Sequence, residues 1–203
     1  MSERQSGLRG RTSHRPWRSV RRLLGLGAVG AFAAALVEER LAIRAAMAGA
    51  GSGTIESRVE IAADSALVWA ELADIPGQVR WMREMKSVRL LTNGPAGLGT
   101  RGEATVRIFG ISVTDPVEIV EWEPPHAFAI RHDGTFGGSG RLTVEPGLDG
   151  TTTIVTWRET LVPPILPHLG SLIQRPVLGW IFQDDLFHFR DLVETIAGTG
   201  EDR

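Results

Sequence analysis

From Thr54 the chain takes up a period of two, interrupted by two short helical stretches and by turns and resumed in runs to 162, and over 167–197 it repeats at helical spacing; no other feature constrains the fold as strongly. In the first run Ile55, Val59 and Ile61 share one face, while Thr54, Glu56, Arg58 and Glu60 share the other, the signature of a half-buried strand over 54–61. Asp64 is placed to cap a helix through Leu67, Val68, Trp69 and Leu72, and Pro76 suits the first turn of a second short helix. Strand-like runs follow at 86–92, 101–109, 111–122, 126–132, 139–145 and 151–162. Asn93-Gly94-Pro95, Gly110, Pro124-Pro125, Asp133-Gly134 and Asp149-Gly150 separate them with turn chemistry. None of these connections is long enough for a parallel crossover, so consecutive strands are antiparallel neighbours.

The terminal segment carries Leu178, Phe182, Leu186, Phe189, Val193 and Ile196 on one stripe, with Pro176 kinking or starting the helix. Trp180 and Phe187 fall about 150° away from that stripe and should form an outer contact surface. One strand, two short helices, six strands and a long helix make an α+β domain over 54–197, its curved seven-stranded sheet wrapped around the last helix. Residues 198–203 read as a disordered tail.

The 203 residues are 42% hydrophobic and 23% charged, enough for one domain with its own core plus an extension. There is no cysteine, which removes disulfide scaffolds, thiolate metal sites and cysteine nucleophiles together. The net charge of -2 hides an asymmetry. Residues 1–22 hold seven arginines against Glu3, a net +6, which leaves -8 for the rest and argues against nucleic-acid binding by the folded domain. Lys86 is the only lysine, an arginine bias typical of a GC-rich bacterial genome.

Four readings stand for residues 1–53, one of them a disordered or surface helix. Leu23 to Val37 is uncharged and ends at Glu38-Glu39-Arg40; as a helix it would span ~22 Å, short of the ~30 Å hydrocarbon core, and so makes a marginal inner-membrane anchor. Its length also suits a signal-peptide core, with Arg21-Arg22-Leu23-Leu24 faintly like a twin-arginine signal and a poor cleavage pattern at Ala46-Met47-Ala48. Alternatively Met47, ahead of Ala48-Gly49-Ala50-Gly51-Ser52-Gly53, is the true start, and the protein belongs to the bacterial cytoplasm.

Across the body, Ile61-Ala62-Ala63, Val68-Trp69, Asp74, Trp81, Gly97-Leu98-Gly99-Thr100, Val120-Glu121-Trp122-Glu123-Pro124-Pro125, Phe128, Gly150-Thr151 and Val155-Thr156-Trp157 resemble the SRPBCC superfamily. Within it the chain is similar to bacterial polyketide cyclase/dehydrase and lipid-transport members of the START-related helix-grip fold. The resemblance implies an apolar cavity between sheet and terminal helix that takes a hydrophobic small molecule or lipid. It leaves three functions open, because fold alone does not choose among them: a carrier, a cyclase/dehydratase, or a membrane-tethered interaction module.

Strand parity then assigns the cavity wall. On 151–162 the odd face, with Val155, Trp157, Glu159 and Leu161, points inward; on 126–132 the even face brings Phe128, Ile130 and His132 inward. Between them Leu142 and Val144 face in, and Gly138 and Gly140 share their parity and leave room. Phe182, Leu186 and Phe189 complete the expected lining of a cavity of ~300 Å³ or more. Burial between Trp157 and Leu161 disfavours a carboxylate at Glu159 unless His132 compensates as a cation. The two are expected about 9.6 Å apart, one strand intervening, too far for a direct hydrogen bond but able to bracket a ligand as general acid and base.

No cofactor or metal is expected. Gly137-Gly138-Ser139-Gly140 lacks the helix that a phosphate loop needs, and His126 lies ~20 Å from His132 along the strand. Asp184 or Asp185 with His188 has helical spacing and reads as a solvated salt bridge.

Overall fold

The computed structural model describes residues 30–44, 53–108, 110–134, 137–162 and 167–201. Residues 30–44 are helical (α1). The body begins with β1 (Ile55–Ile61), α2 (Ser65–Leu72) and a 3-10 turn (Pro76–Arg80). It continues with β2 (Met85–Leu90), β3 (Arg101–Ile108), β4 (Ile111–Glu123), β5 (Ala127–Asp133), β6 (Gly137–Pro146) and β7 (Thr153–Val162), and closes with α3 (Pro167–Glu201). Each sequence-derived strand and helix is present, with ends shifted by a few residues, as expected where hydrogen bonding decides termini.

All neighbouring strands are antiparallel, in the order β1-β7-β6-β5-β4-β3-β2. β2 to β7 form a meander, and β1 returns to the far edge beside β7. The chain therefore crosses from one edge to the other through α2 and the 3-10 turn, which requires the sheet to curl around what lies on its inner face. That inner face carries α3, and the arrangement is the helix-grip fold.

Local chemistry explains the elements. In β1 burial alternates strictly, with Ile55, Ser57, Val59 and Ile61 inside. Asp64 Oδ1 accepts from the Ala66 N–H at 2.8 Å and so satisfies one of the free donors at the start of α2. Pro76 occupies the first turn of the 3-10 segment, where a missing N–H costs nothing. In α3 the residues Leu178, Leu186, Phe189 and Val193 are buried as the stripe predicts, joined by Ile181. Pro176 lies inside α3 and does not start it, and the helix continues to Glu201, past the expected boundary at 197.

The core divides the concave face in two. At one end, Trp81, Phe128, Leu142, Val155, Leu186, Phe189 and Val193 are fully enclosed, with Trp81 against Phe189 at 4.9 Å between ring centroids and Trp69 edge-on to Trp122 at 5.5 Å. Contacts of this kind add to the ~1.5–3 kcal/mol gained by burying each large apolar side chain. The other end is not filled. Trp180 is 70% exposed and Phe187, with the Arg190 guanidinium 5.2 Å over its ring, 42% exposed.

Among the described residues no helix is long and apolar enough to cross a membrane. Residues 23–29 of the expected anchor lie outside the described residues; its remainder, 30–37, forms part of α1.

Candidate functional site

At the open end of the concave face lies a cavity of about 200 Å³ bounded by β2 to β7, the 3-10 turn and α3. It is smaller than expected, because Trp157 stacks on Phe182 at 4.4 Å and these rings take up space between sheet and helix. Phe128, Ile130, Leu142, Trp157 and Phe182 line it, together with Leu161, Leu178 and Ile181. Val144, Val155, Leu186 and Phe189, also expected in the lining, lie instead in the packed core beneath it. The physical reason is depth: they share the inward parity but sit toward the end sealed by Trp81 and Val193. Met82, Met85, Val88, Val106, Val113 and Val117 are among the residues that extend this apolar wall. A larger recess of about 400 Å³ between β1 and α3, lined by Thr54, Ile55, Glu56, Leu172, Arg175 and Pro176, has no comparable apolar enclosure.

A line of three ionisable side chains crosses the floor. His132 Nε2 lies 3.2 Å from Glu159 Oε1, and His132 Nδ1 lies 3.1 Å from Asp115 Oδ2. The Trp157 indole N–H donates to Glu159 Oε2 at 2.9 Å. Glu159 is 2% exposed, so its position near a strand end gives it no access to water. This corrects the expected separation of the His–Glu pair. Two strands do set the backbones apart, but the intervening β6 presents Gly138 opposite His132 and Gly140 opposite Glu159. With no side chains on β6 at these points, the carboxylate and the imidazole lean over it and meet.

The electrostatics follow from that meeting. Burial alone would lower the His132 pKa, yet the Glu159 and Asp115 carboxylates outweigh it and hold the imidazole above its ordinary value. The ring is therefore biased toward the cation that compensates the buried acids. The Glu159 contact has ion-pair distance without alignment: His132 Nε2, Glu159 Oε1 and Asp115 Oδ1 are all buried and make no hydrogen bond. Buried polar atoms are normally satisfied, so three of them together in an apolar wall have capacity to receive a polar group.

Besides Glu159, three acidic residues line the cavity that strand and helix parity did not assign to it: Glu84, Asp115 and Asp185. Asp115 shares its parity with Val113 and Val117, a signal that a carboxylate faces the apolar side of β4. Helical spacing alone pairs Asp185, like Asp184, with His188 at the surface. His188 does pair with Asp184, at 3.7 Å, but Asp185 is 3% exposed and lines the cavity from α3. Its place one heptad after Leu178 and three residues after Phe182 puts it on the inward stripe. Burial drives its pKa up to about 7, against the Arg83 backbone N–H that donates to Asp185 Oδ1 at 3.0 Å and favours the anion. Cavity chemistry thus includes an imidazole biased toward its cation on the sheet side and, on the helix side, a carboxyl whose pKa is pushed up to about 7. Among the described residues no group of three or more His, Asp or Glu side chains is arranged to hold a metal ion.

The family described as polyketide cyclase / dehydrase and lipid transport matches residues 52–194. No curated protein matches the chain. Among solved structures, a Deinococcus radiodurans protein is similar over 70% of this chain and 98% of its own, with 23% identity and a TM-score of 0.54. A Thermus thermophilus protein is similar over 71% of this chain and 99% of its own, with 19% identity and a TM-score of 0.59. The Zhui aromatase/cyclase of a Streptomyces species is similar over 70% of this chain and 93% of its own, with 20% identity and a TM-score of 0.55. At these identities the likeness is one of fold.

Proposed function

Because the chain belongs to the polyketide cyclase/dehydrase and lipid transport family, we propose that its cavity binds a hydrophobic small molecule or lipid by the body, and a carbonyl or hydroxyl of that molecule by the Glu159–His132–Asp115 line. The observation that carries this reading is the buried His132 Nε2–Glu159 Oε1 ion pair at 3.2 Å, whose atoms, with Asp115 Oδ1, make no hydrogen bond, set in a largely apolar wall. Apolar lining supplies affinity without direction; the few polar atoms fix which end of the ligand lies where. Trp157, Phe128, Ile130, Leu142 and Phe182 are the residues assigned to the apolar contact.

Native mass spectrometry of the protein as isolated tests the reading directly. A bound apolar molecule should accompany the protein, and Glu159→Gln should loosen a carbonyl-bearing ligand while leaving a plain hydrocarbon ligand unaffected. A protein that carries nothing, and takes up no apolar probe at micromolar concentration, would overturn it.

The second reading is a cyclase or dehydratase, favoured by the presence of His132 and Asp185 in the same cavity with complementary tendencies. In aldol closure, ionised Asp185 would take the proton α to one carbonyl, the resulting enolate carbon would attack a second carbonyl, and His132 as the cation would protonate the alkoxide formed. In the following dehydration the imidazolium proton goes to the departing hydroxyl, which leaves as water, while the carboxylate removes the neighbouring C–H proton. Both steps leave the protein with an acid and a base exchanged, to be restored from solvent. Turnover of a poly-β-ketone probe, abolished by either His132→Gln or Asp185→Asn with binding retained, separates enzyme from carrier.

A further inference from the structure

The N-terminal helix α1 has two faces. Ala34, Glu38, Leu41 and Ala42 are half-buried and lie within about 100° of one another around the axis. This face meets the start of α3, where Glu38 Oε1 accepts from the His168 backbone N–H at 2.7 Å and lies 2.8 Å from His168 Nδ1. About 150° away, Phe32, Leu36 and Ile43 fall within about 40° of one another and are 67%, 44% and 52% exposed. A helix that already has a packing face thus presents a second apolar stripe outward.

We propose that this outer stripe docks the protein on an anionic phospholipid surface, with Phe32, Leu36 and Ile43 entering the headgroup boundary. The occupant is chosen by charge. The chain ahead of α1, separated from it by the uncharged residues 23–29, carries seven arginines and one glutamate in residues 1–22, a net +6. Those residues are too polar to cover an apolar stripe themselves, and a second copy of the chain would bring a second +6 segment against the first. An anionic bilayer satisfies both features at once: its headgroups attract the arginines, and its acyl boundary accepts the three side chains. α1 lies on the surface in this arrangement and does not span it. The inference stands apart from the cavity reading, since none of its residues lines the cavity.

The test uses the full chain in co-sedimentation with vesicles of phosphatidylglycerol mixed with phosphatidylcholine, and with vesicles of phosphatidylcholine alone. Binding should be at least about tenfold stronger to the anionic vesicles and should weaken as salt is raised. The triple change Phe32→Ser, Leu36→Ser, Ile43→Ser and, separately, Arg18→Gln, Arg21→Gln, Arg22→Gln should each reduce it about tenfold or more. The arginine set leaves α1 untouched and keeps the test decisive if the serine set perturbs the helix. Absence of binding, equal binding to both vesicles, or binding indifferent to either set would overturn the proposal. So would a dimer that the serine set abolishes, or vesicle binding that needs Glu159 and not the stripe, which would place the lipid in the cavity.

Discussion

Gly140 stands opposite Glu159 in the β6–β7 register, and a methyl group on it would run into the Glu159 carboxylate. The contact between acid and imidazole therefore depends on a residue that has no side chain to place beside it. Gly140→Ala should force the carboxylate away from His132 at a cost of about 1–3 kcal/mol, read as a fall in the urea midpoint. Gly97, around which an added Cβ meets nothing, serves as the comparison: Gly97→Ala should leave stability within about 0.5 kcal/mol.

His132 should titrate as a histidine with raised pKa in nitrogen-detected NMR, and Glu159→Gln or Asp115→Asn should each bring it down, since burial then meets only one carboxylate. A group whose pKa is higher folded than unfolded stabilises fully below the unfolded value, here about 6.5, and loses that contribution as pH rises through the folded value. The stability gap between the wild type and His132→Gln should therefore be widest in mild acid and close at alkaline pH. A gap that widens with pH would refute the ion-pair account.

Asp185 has the same sign over a more acidic window. With its folded pKa raised to about 7, the protein should lose stability as pH climbs from about 4 to about 7 and then level off with respect to this group. Asp185→Asn keeps an oxygen for the Arg83 N–H and removes the charge, so at pH 8 it should be more stable than the wild type by an amount of the order of a few kcal/mol. Thermal unfolding of both proteins across that range is the measurement, and parallel curves would count against a buried titrating carboxyl.

Enlarging an apolar lining residue tests the cavity as a volume. Val106 lies on β3 beside Val113 and Met85 and borders the space. Val106→Phe should fill part of about 200 Å³, raise or preserve the melting temperature, and reduce retention of the co-purifying apolar ligand several-fold. Unchanged retention would place the ligand elsewhere.

The alternation of apolar residues in β1, β5 and β7 was sufficient to orient Phe128, His132, Trp157 and Glu159, because a period of two has only one alternative face. What parity does not carry is the third dimension. It located Val144 and Val155 on the correct face but not at which depth the core closes. It measured the His132–Glu159 gap between backbones and missed that two glycines let side chains cross it. Asp185 was misread because proximity to His188 suggested a surface pair, although one position of offset, about 100°, separates Asp184 facing solvent from Asp185 facing the cavity. The helix stripe held that information.

The return of β1 to the far edge of the sheet has a consequence for how the protein is made. β2 to β6 can pair with one another in the order in which they leave the ribosome, but Ile55 to Ile61 have their partners at 153–159, almost the last strand residues to appear. Throughout synthesis of the intervening meander, an alternating apolar strand waits with its edge open, and closing that loop is among the slower events in folding. Nascent chains halted before β7 should accordingly present β1 to chaperones or to one another, while chains halted a few residues beyond α3 should not.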